Sequence, residues 1–246
     1  MTSPGERLFA RYAHAPNALG YCGPATAAGL QQVACGGGAD VDVRRLAAQF
    51  SGVWPYQTMM AELAGDGVDP LSEEVGRAYW TGNDLTARID AGRLGAMLLE
   101  RFAAQAGHYW THLDEALLEE VTPTHAFHVL GVYPWTRLLH TGLPEPLHVL
   151  DSCRIRTGRV VSVDDDAAWV EVDTLTWDGH VLGLTDPRPE RVARRTPDGV
   201  FADLAPGDRA AIHWAFVCDR LTDDQAETLL ALTGRQVELT NRRLAR

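Results

Sequence analysis

Lysine is missing from this 246-residue chain: all 22 basic residues are arginine, set against 33 acidic residues for a formal net charge of −11. An acidic chain without a basic stripe has little attraction for phosphate backbones or anionic lipid, which excludes nucleic acid and membrane insertion from the expected associations. The missing lysine itself reads as codon usage, because arginine serves equally well on a solvated face. Cysteine is also scarce. Cys22, Cys35, Cys153 and Cys218 form no CxxC pair and no dense framework, which excludes a disulfide-stapled mini-domain and points to a reducing compartment. No apolar run approaches the ~20 residues needed to cross a bilayer, and the N-terminus lacks the charged and apolar regions of a signal peptide, so the expected location is the cytoplasm. Internal repeats and low-complexity tracts are absent as well.

What is present is the composition of an ordinary globular chain, 46% hydrophobic and 22% charged, long enough for one large domain or two small ones. The first half reads as short helices punctuated by Gly and Pro. Ser3 and Glu6 have capping-box spacing ahead of a helix expected to fail near Pro16. A second helix is expected from Pro24 through Val33 to the Gly36-Gly37-Gly38 stop, with further helical periods at Val43–Phe50, Val75–Tyr79 and Leu94–Phe102. The texture then changes. Apolar runs at Phe127–Tyr133 and His148–Leu150 are expected as strands, followed by strands at about 154–163, 167–175, 180–184 and 209–218. Residues 185–200, with three prolines and many arginines, read as a surface loop, and Thr222 with Gln225 caps a final helix. The expected fold class is α+β. A mainly helical domain over residues 1–146 ends in a strand and loop connection, and residues 147–246 form a small β-barrel with a C-terminal helix.

Chemistry concentrates around two cysteines. Cys153 opens the series Cys153-Arg154-Ile155-Arg156-Thr157-Gly158-Arg159-Val160-Val161. Later Pro206-Gly207-Asp208 introduces Ala211-Ile212-His213-Trp214-Ala215-Phe216, and the helix opens Leu221-Thr222-Asp223-Asp224-Gln225-Ala226. This order resembles the small HypC/HupF hydrogenase-assembly chaperones, in which a cysteine precedes a P-G turn and strand. In those proteins an OB-like barrel follows, a P-G-D turn leads to a strand carrying histidine, and a helix closes the domain. The resemblance covers roughly residues 148–237. It implies that Cys153 and His213 hold an iron–cyanide–carbonyl fragment in transit to the large subunit of nickel–iron hydrogenase, with that subunit or other maturation proteins as partners. Two departures stand out: Thr157 replaces the usual proline, and Cys153 is internal rather than near a chain start. The donor types suit the cargo, since low-spin iron prefers soft thiolate and imidazole, and an open coordination face lets it leave.

The second cysteine lies in Asn17-Ala18-Leu19-Gly20-Tyr21-Cys22-Gly23-Pro24-Ala25, just before the expected helix start. With His128 and Asp151 it gives the order Cys, His, Asp and is similar to the papain-like thiol hydrolases, particularly bacteriocin-processing peptidases. That likeness implies Cys22 as nucleophile, His128 as base and Asp151 as its orienter. Pro16 stands where the oxyanion-hole Gln is expected, with Asn17 one place off.

A further combination of Cys22, His125 and His128 makes a second metal-handling patch beside Cys153. On the expected strand, however, His125 and His128 point to opposite faces. His108 and His112 read as surface residues, and Cys35 and Cys218 as packing. Trp54-Pro55-Tyr56, Tyr79-Trp80 and Tyr133-Pro134-Trp135 read as wedges between helices. Over its whole length the chain also looks like an uncharacterised family associated with nickel–iron hydrogenase gene clusters, through Phe9-Ala10-Arg11-Tyr12-Ala13, Asn17 to Pro24 and Phe127 to Trp135. Three functions are therefore expected in order: a hydrogenase maturation factor, a cysteine hydrolase, or a non-catalytic interaction subunit.

Overall fold

The computed structural model describes residues 2–103 and 115–245. Helix α1 (Pro4–Ala18) starts at the expected capping box, with the Ser3 backbone N–H donating to Glu6 and the Glu6 N–H donating to the Ser3 hydroxyl. It continues through Pro16 instead of failing there. Only two residues remain beyond the proline, so its missing N–H removes a single hydrogen bond of the last turn. The helix buries Leu8, Phe9, Tyr12, Ala13 and Pro16.

Short helices follow: α2 (Gly29–Ala34), α3 (Val43–Ala47), α4 (Val53–Ala64), α5 (Glu73–Trp80), α6 (Asp84–Arg88) and α7 (Ala91–Ala103). Helix α2 begins five residues later than expected, because Asn17 Nδ2 donates to the Cys22 and Pro24 carbonyls and ties residues 17–24 into a turn. His108 and His112 lie outside the described residues.

The expected strands at 127–133 and 148–150 are helical instead. Thr124 caps α8 (His125–Phe127), which runs into a π-turn over His128–Val132, and Tyr133 N–H donates back to the His128 carbonyl at 3.1 Å. After α9 (Trp135–Leu138), Pro144 occupies the first turn of α10 (Pro144–Cys153). β-propensity misled at both places because burial on every side, not a pleated half-buried surface, selects the apolar residues there.

The strands come after. β1 (Arg156–Val163) pairs antiparallel with β2 (Ala167–Val172), and β3 (Leu175–Trp177) pairs with β4 (Leu182–Leu184) as a separate hairpin. β5 (Arg188–Ala193) pairs antiparallel with β2 over six residues, which places a sheet strand inside the expected surface loop. Pro189 is tolerated there because β5 meets its other neighbour only at Ala193. β6 (Arg195–Thr196) and β7 (Gly199–Val200) form a small hairpin. β8 (Arg209–His213) and β9 (Phe216–Leu221) complete a five-stranded sheet ordered β1-β2-β5-β9-β8, in which β8 also pairs with β1, so the strands close on themselves. Helix α11 (Asp223–Leu244) starts at the expected Thr222–Gln225 capping box.

Two apolar clusters result. The smaller fills the inside of the sheet with Val160, Val170, Val192, Ile212 and Val217. The larger runs from Leu8 in α1 through Phe50, Tyr79, Phe127 and Cys153 to Trp214, Cys218 and Val237, crossing residue 146 without a break. Asp219 in β9 adds a charged tie to the helices, accepting from Arg11 at 2.8 Å and from Arg77 at 3.2 Å. Among the described residues no helix is long and apolar enough to cross a membrane.

Gly158 shows how close β1 and β2 approach. A Cβ built there would lie 2.0 Å from the Glu171 carbonyl oxygen. Gly158→Ala should therefore cost about 3 kcal/mol by urea denaturation, whereas Gly234→Ala, in α11 with open space beside it, should stabilise by up to ~1 kcal/mol. An unchanged midpoint for Gly158→Ala would contradict the close approach.

Candidate functional site

The site forms where the β8–β9 hairpin meets the C-terminus of α10. The hairpin loop has only two residues, Trp214 and Ala215, both left-handed at φ 52° and 55°. Left-handed backbone at both central positions matches the right-handed twist of the flanking strands, at a steric cost that glycine would avoid. Its position is fixed by the Trp214 N–H, which donates to the Ser152 carbonyl at 2.9 Å. This bond sets Cys153, the last residue of α10, beside His213, the last residue of β8.

A cavity of about 230 Å³ opens at this junction. Cys22, His125, His128, Cys153 and His213 all line it, together with Trp80, Tyr133 and Trp214, and none of the described residues that line it is Asp, Glu or Arg. The Tyr21 ring stacks on Trp214 at 3.9 Å between centroids. The helical turn over 125–132 is what brings His125 and His128 together: three apart on a helix, they share a face, with rings 5.7 Å apart. The opposite-face expectation fails because the segment is not a strand.

The hydrogen bonds fix every ring proton that matters. The Cys153 carbonyl can only accept, so His125 Nε2–H donates to it at 2.8 Å. A neutral His125 then has a lone pair on Nδ1, which takes the Tyr79 hydroxyl proton at 3.0 Å. The Tyr79 oxygen in turn accepts from His128 Nδ1–H at 2.7 Å. The chain reads His128 to Tyr79 to His125 to the Cys153 carbonyl, and it leaves His128 Nε2 as an acceptor. His213 is oriented independently. Its Nδ1–H donates to the Tyr12 carbonyl at 2.7 Å, so Nε2 carries a lone pair, and this atom is buried without a hydrogen-bond partner. His213 is only 1% exposed. A buried imidazole whose Nδ1 is pinned and whose Nε2 is left unpartnered has the tautomer of a metal ligand.

Burial keeps all these groups neutral. It pulls the His128 pKa down to about 3, and that of His213 to about 4 against the opposing effect of the Tyr12 and Cys153 carbonyls. Burial, then His213 and His128, hold His125 well below its usual value. Burial lifts the Cys22 thiol to about 11, and burial together with Cys22 raises the Cys153 thiol further. Neither sulfur is a free thiolate without a cation beside it.

The ligand atoms of His125, Cys153 and His213 all lie within 4.8 Å of one another, with Cys153 Sγ 4.0 Å from His125 Nε2. Donors around one metal at bond lengths of about 2.0–2.3 Å sit roughly 3.5 Å apart, so a small contraction would close the trio on one ion. The chain belongs to the family of unknown function DUF6390, whose match spans residues 1–246. No curated protein and no solved structure matches it.

In this DUF6390 member the expected site residues are partly gathered. Cys153 and His213 meet, and Cys22 and His128 face the same cavity. Asp151 does not orient His128. Its carboxylate accepts from Arg154 Nε at 3.0 Å and from the Leu175 N–H at 2.8 Å, while Tyr79 takes the place expected for it beside His128. Cys22 sits on a turn ahead of α2 rather than at a helix start, so no helix dipole lowers its pKa. Cys218 is core, as expected, and Cys35 lies 3.7 Å from the Thr196 hydroxyl. The sequence gives no signal for Tyr79, which reaches the histidines from α5.

Unfolded histidine titrates near 6.5. As pH falls from 6.5 toward 4, the unfolded chain takes up protons that the folded, metal-free site refuses, so stability declines across that window. At pH 5 the loss is about 2 kcal/mol for each of His128 and His213. Urea melts at pH 7 and pH 5 measure this, and His128→Gln should remove part of the pH dependence. An identical dependence in wild type and variant would contradict a buried neutral ring.

Proposed function

We propose that this protein is a maturation factor for nickel–iron hydrogenase, holding an iron–cyanide–carbonyl fragment through Cys153 and His213 on its way to the large-subunit precursor. The observation that carries the reading is the convergence of these two donors in a buried, uncharged cavity. The two residues come from separate elements 60 positions apart in sequence, and they are the pair that the HypC/HupF resemblance implies.

The chemistry of the cavity suits this cargo. Iron(II) with two cyanides and one carbonyl carries no net charge, so it enters an apolar space without the desolvation penalty of a bare dication. The volume of about 230 Å³ accommodates several small ligands, each near the ~30 Å³ of a water. Beside iron the Cys153 thiol, held protonated by burial, loses its proton and becomes a soft thiolate donor. The unpartnered Nε2 of His213 supplies the second donor. The self-pairing five-stranded sheet with its capped terminal helix supports an OB-like HypC-type module over residues 147–246. On this reading the helical region encloses the cargo and selects the partner protein, in the cytoplasm.

Anaerobic purification after co-expression with the hydrogenase machinery tests the reading. The protein should carry iron and show infrared bands of bound cyanide and carbon monoxide, and Cys153→Ala should abolish them. Wild-type protein without those bands, under conditions where a HypC-type chaperone shows them, would overturn it.

A further inference from the structure

We propose that His125 is a third, exchangeable donor at this site, alternating between a metal held by Cys153 and His213 and the Cys153 carbonyl. The inference deepens the maturation reading and rests on its Cys153–His213 pair. It starts from geometry that the barrel resemblance does not contain, because His125 comes from the helical region and reaches the pair through α8.

Three observations lead to it. His125 Nε2 lies 4.0 Å from Cys153 Sγ, and the three donor atoms fall within 4.8 Å of one another. The His213 ring offers a buried Nε2 with no other partner into the same space. And His125 Nε2–H is satisfied by the carbonyl of the very residue whose sulfur is the neighbouring donor, at 2.8 Å, so the ring can trade one bond for the other with little movement.

The exchange balances through tautomers alone. When Nε2 of His125 binds metal, its proton leaves to cavity solvent, and Nδ1 takes the Tyr79 hydroxyl proton. Tyr79 takes the Nδ1 proton of His128, and His128 takes a proton from solvent at Nε2. Both rings and the phenol end neutral, and the one proton released overall is that of the Cys153 thiol. Tyr79 is a positioning residue here: its hydroxyl donates to one ring and accepts from the other, and so it supports either order. Iron bearing three diatomic ligands has three octahedral positions left, which Cys153, His125 and His213 fill on one face. Return of His125 to the carbonyl reopens one position, through which an acceptor protein's thiolate attacks.

Cobalt(II), added anaerobically to the full-length apo-protein, tests the third donor. Wild type should bind one equivalent with a thiolate-to-cobalt charge-transfer band, and X-ray absorption should count two imidazoles. His125→Gln, which keeps a side-chain N–H for the carbonyl, should retain the thiolate band and show one imidazole. Its affinity should fall by at least roughly a hundredfold, the upper end of what losing a supporting hydrogen bond alone produces. Tyr79→Phe should keep two imidazoles with a loss of about tenfold. Circular dichroism confirms that each variant is folded. Unchanged affinity and two imidazoles in His125→Gln would remove His125 from the site and leave the Cys153–His213 pair standing. Absence of the thiolate band in wild type would overturn this proposal and leave the pair to the infrared test, and persistence of the band in Cys153→Ser would overturn both.

Discussion

The hydrogen bond from the Trp214 N–H to the Ser152 carbonyl locks together two elements that the β1–β8 pairing, with Arg156 opposite Ile212, already brings close. One is a helix ending in cysteine and the other a hairpin ending in histidine. The left-handed loop is sterically unfavourable for Trp214 and Ala215, by about 1–2 kcal/mol per residue. Such a conformation persists where the surroundings over-determine it. Here the surroundings are the β8–β9 ladder on one side, the α10 carbonyl on the other, and the Tyr21 ring stacked on the indole. The convergence of Cys153 and His213 is thus a consequence of backbone geometry and does not depend on any attraction between the two side chains.

The cavity at that junction has no Asp, Glu or Arg among its described lining residues. Formal charges are abundant in the chain and are kept elsewhere: Asp219 is clamped by Arg11 and Arg77, Asp151 and Asp173 by Arg154, and Glu190 by Arg156. The cavity instead collects side chains that are neutral when buried but become ionic or ligating when a cation arrives. Burial without compensation raises thiol pKa values and lowers those of imidazoles, so an empty cavity resists both free protons and stray anions. On the proposed reading, the same burial makes affinity for a soft metal depend on how well that metal is already neutralised by its own ligands.

Much of this was legible in sequence, and unevenly so. The two capping boxes at Ser3–Glu6 and Thr222–Gln225 located the first and last helices correctly, because a cap is a local bargain between neighbouring residues. Strands β1 and β2 followed from local alternation and turn residues, whereas the single strand expected over 209–218 is the β8–β9 hairpin, which turns at Trp214 and Ala215 without the Gly or Asn that marks such a turn in sequence. The segments at 127–133 and 148–150 misled because their Val, Phe and Leu are buried on all sides, a state in which helix and strand patterns coincide. β5 hid behind prolines and arginines, since a strand with one long neighbour can hold a proline facing away from it. At the site, word order singles out Cys153 and His213, which the structure brings together, whereas nothing local marks Tyr79: its place is set by a helix packing 46 residues away from His125.

One contact reaches further than its size. The Tyr12 carbonyl that holds His213 belongs to α1, the first helix of the chain, 201 residues earlier. The tautomer of the sheet's histidine is therefore written by the opposite end of the polypeptide. A recombinant joining this sheet to a foreign helical half would keep its cysteine and histidine in sequence yet leave the ring free to turn over. The two halves are coupled at that carbonyl, through a backbone atom that no side-chain substitution can remove and only a shift of the helix can displace.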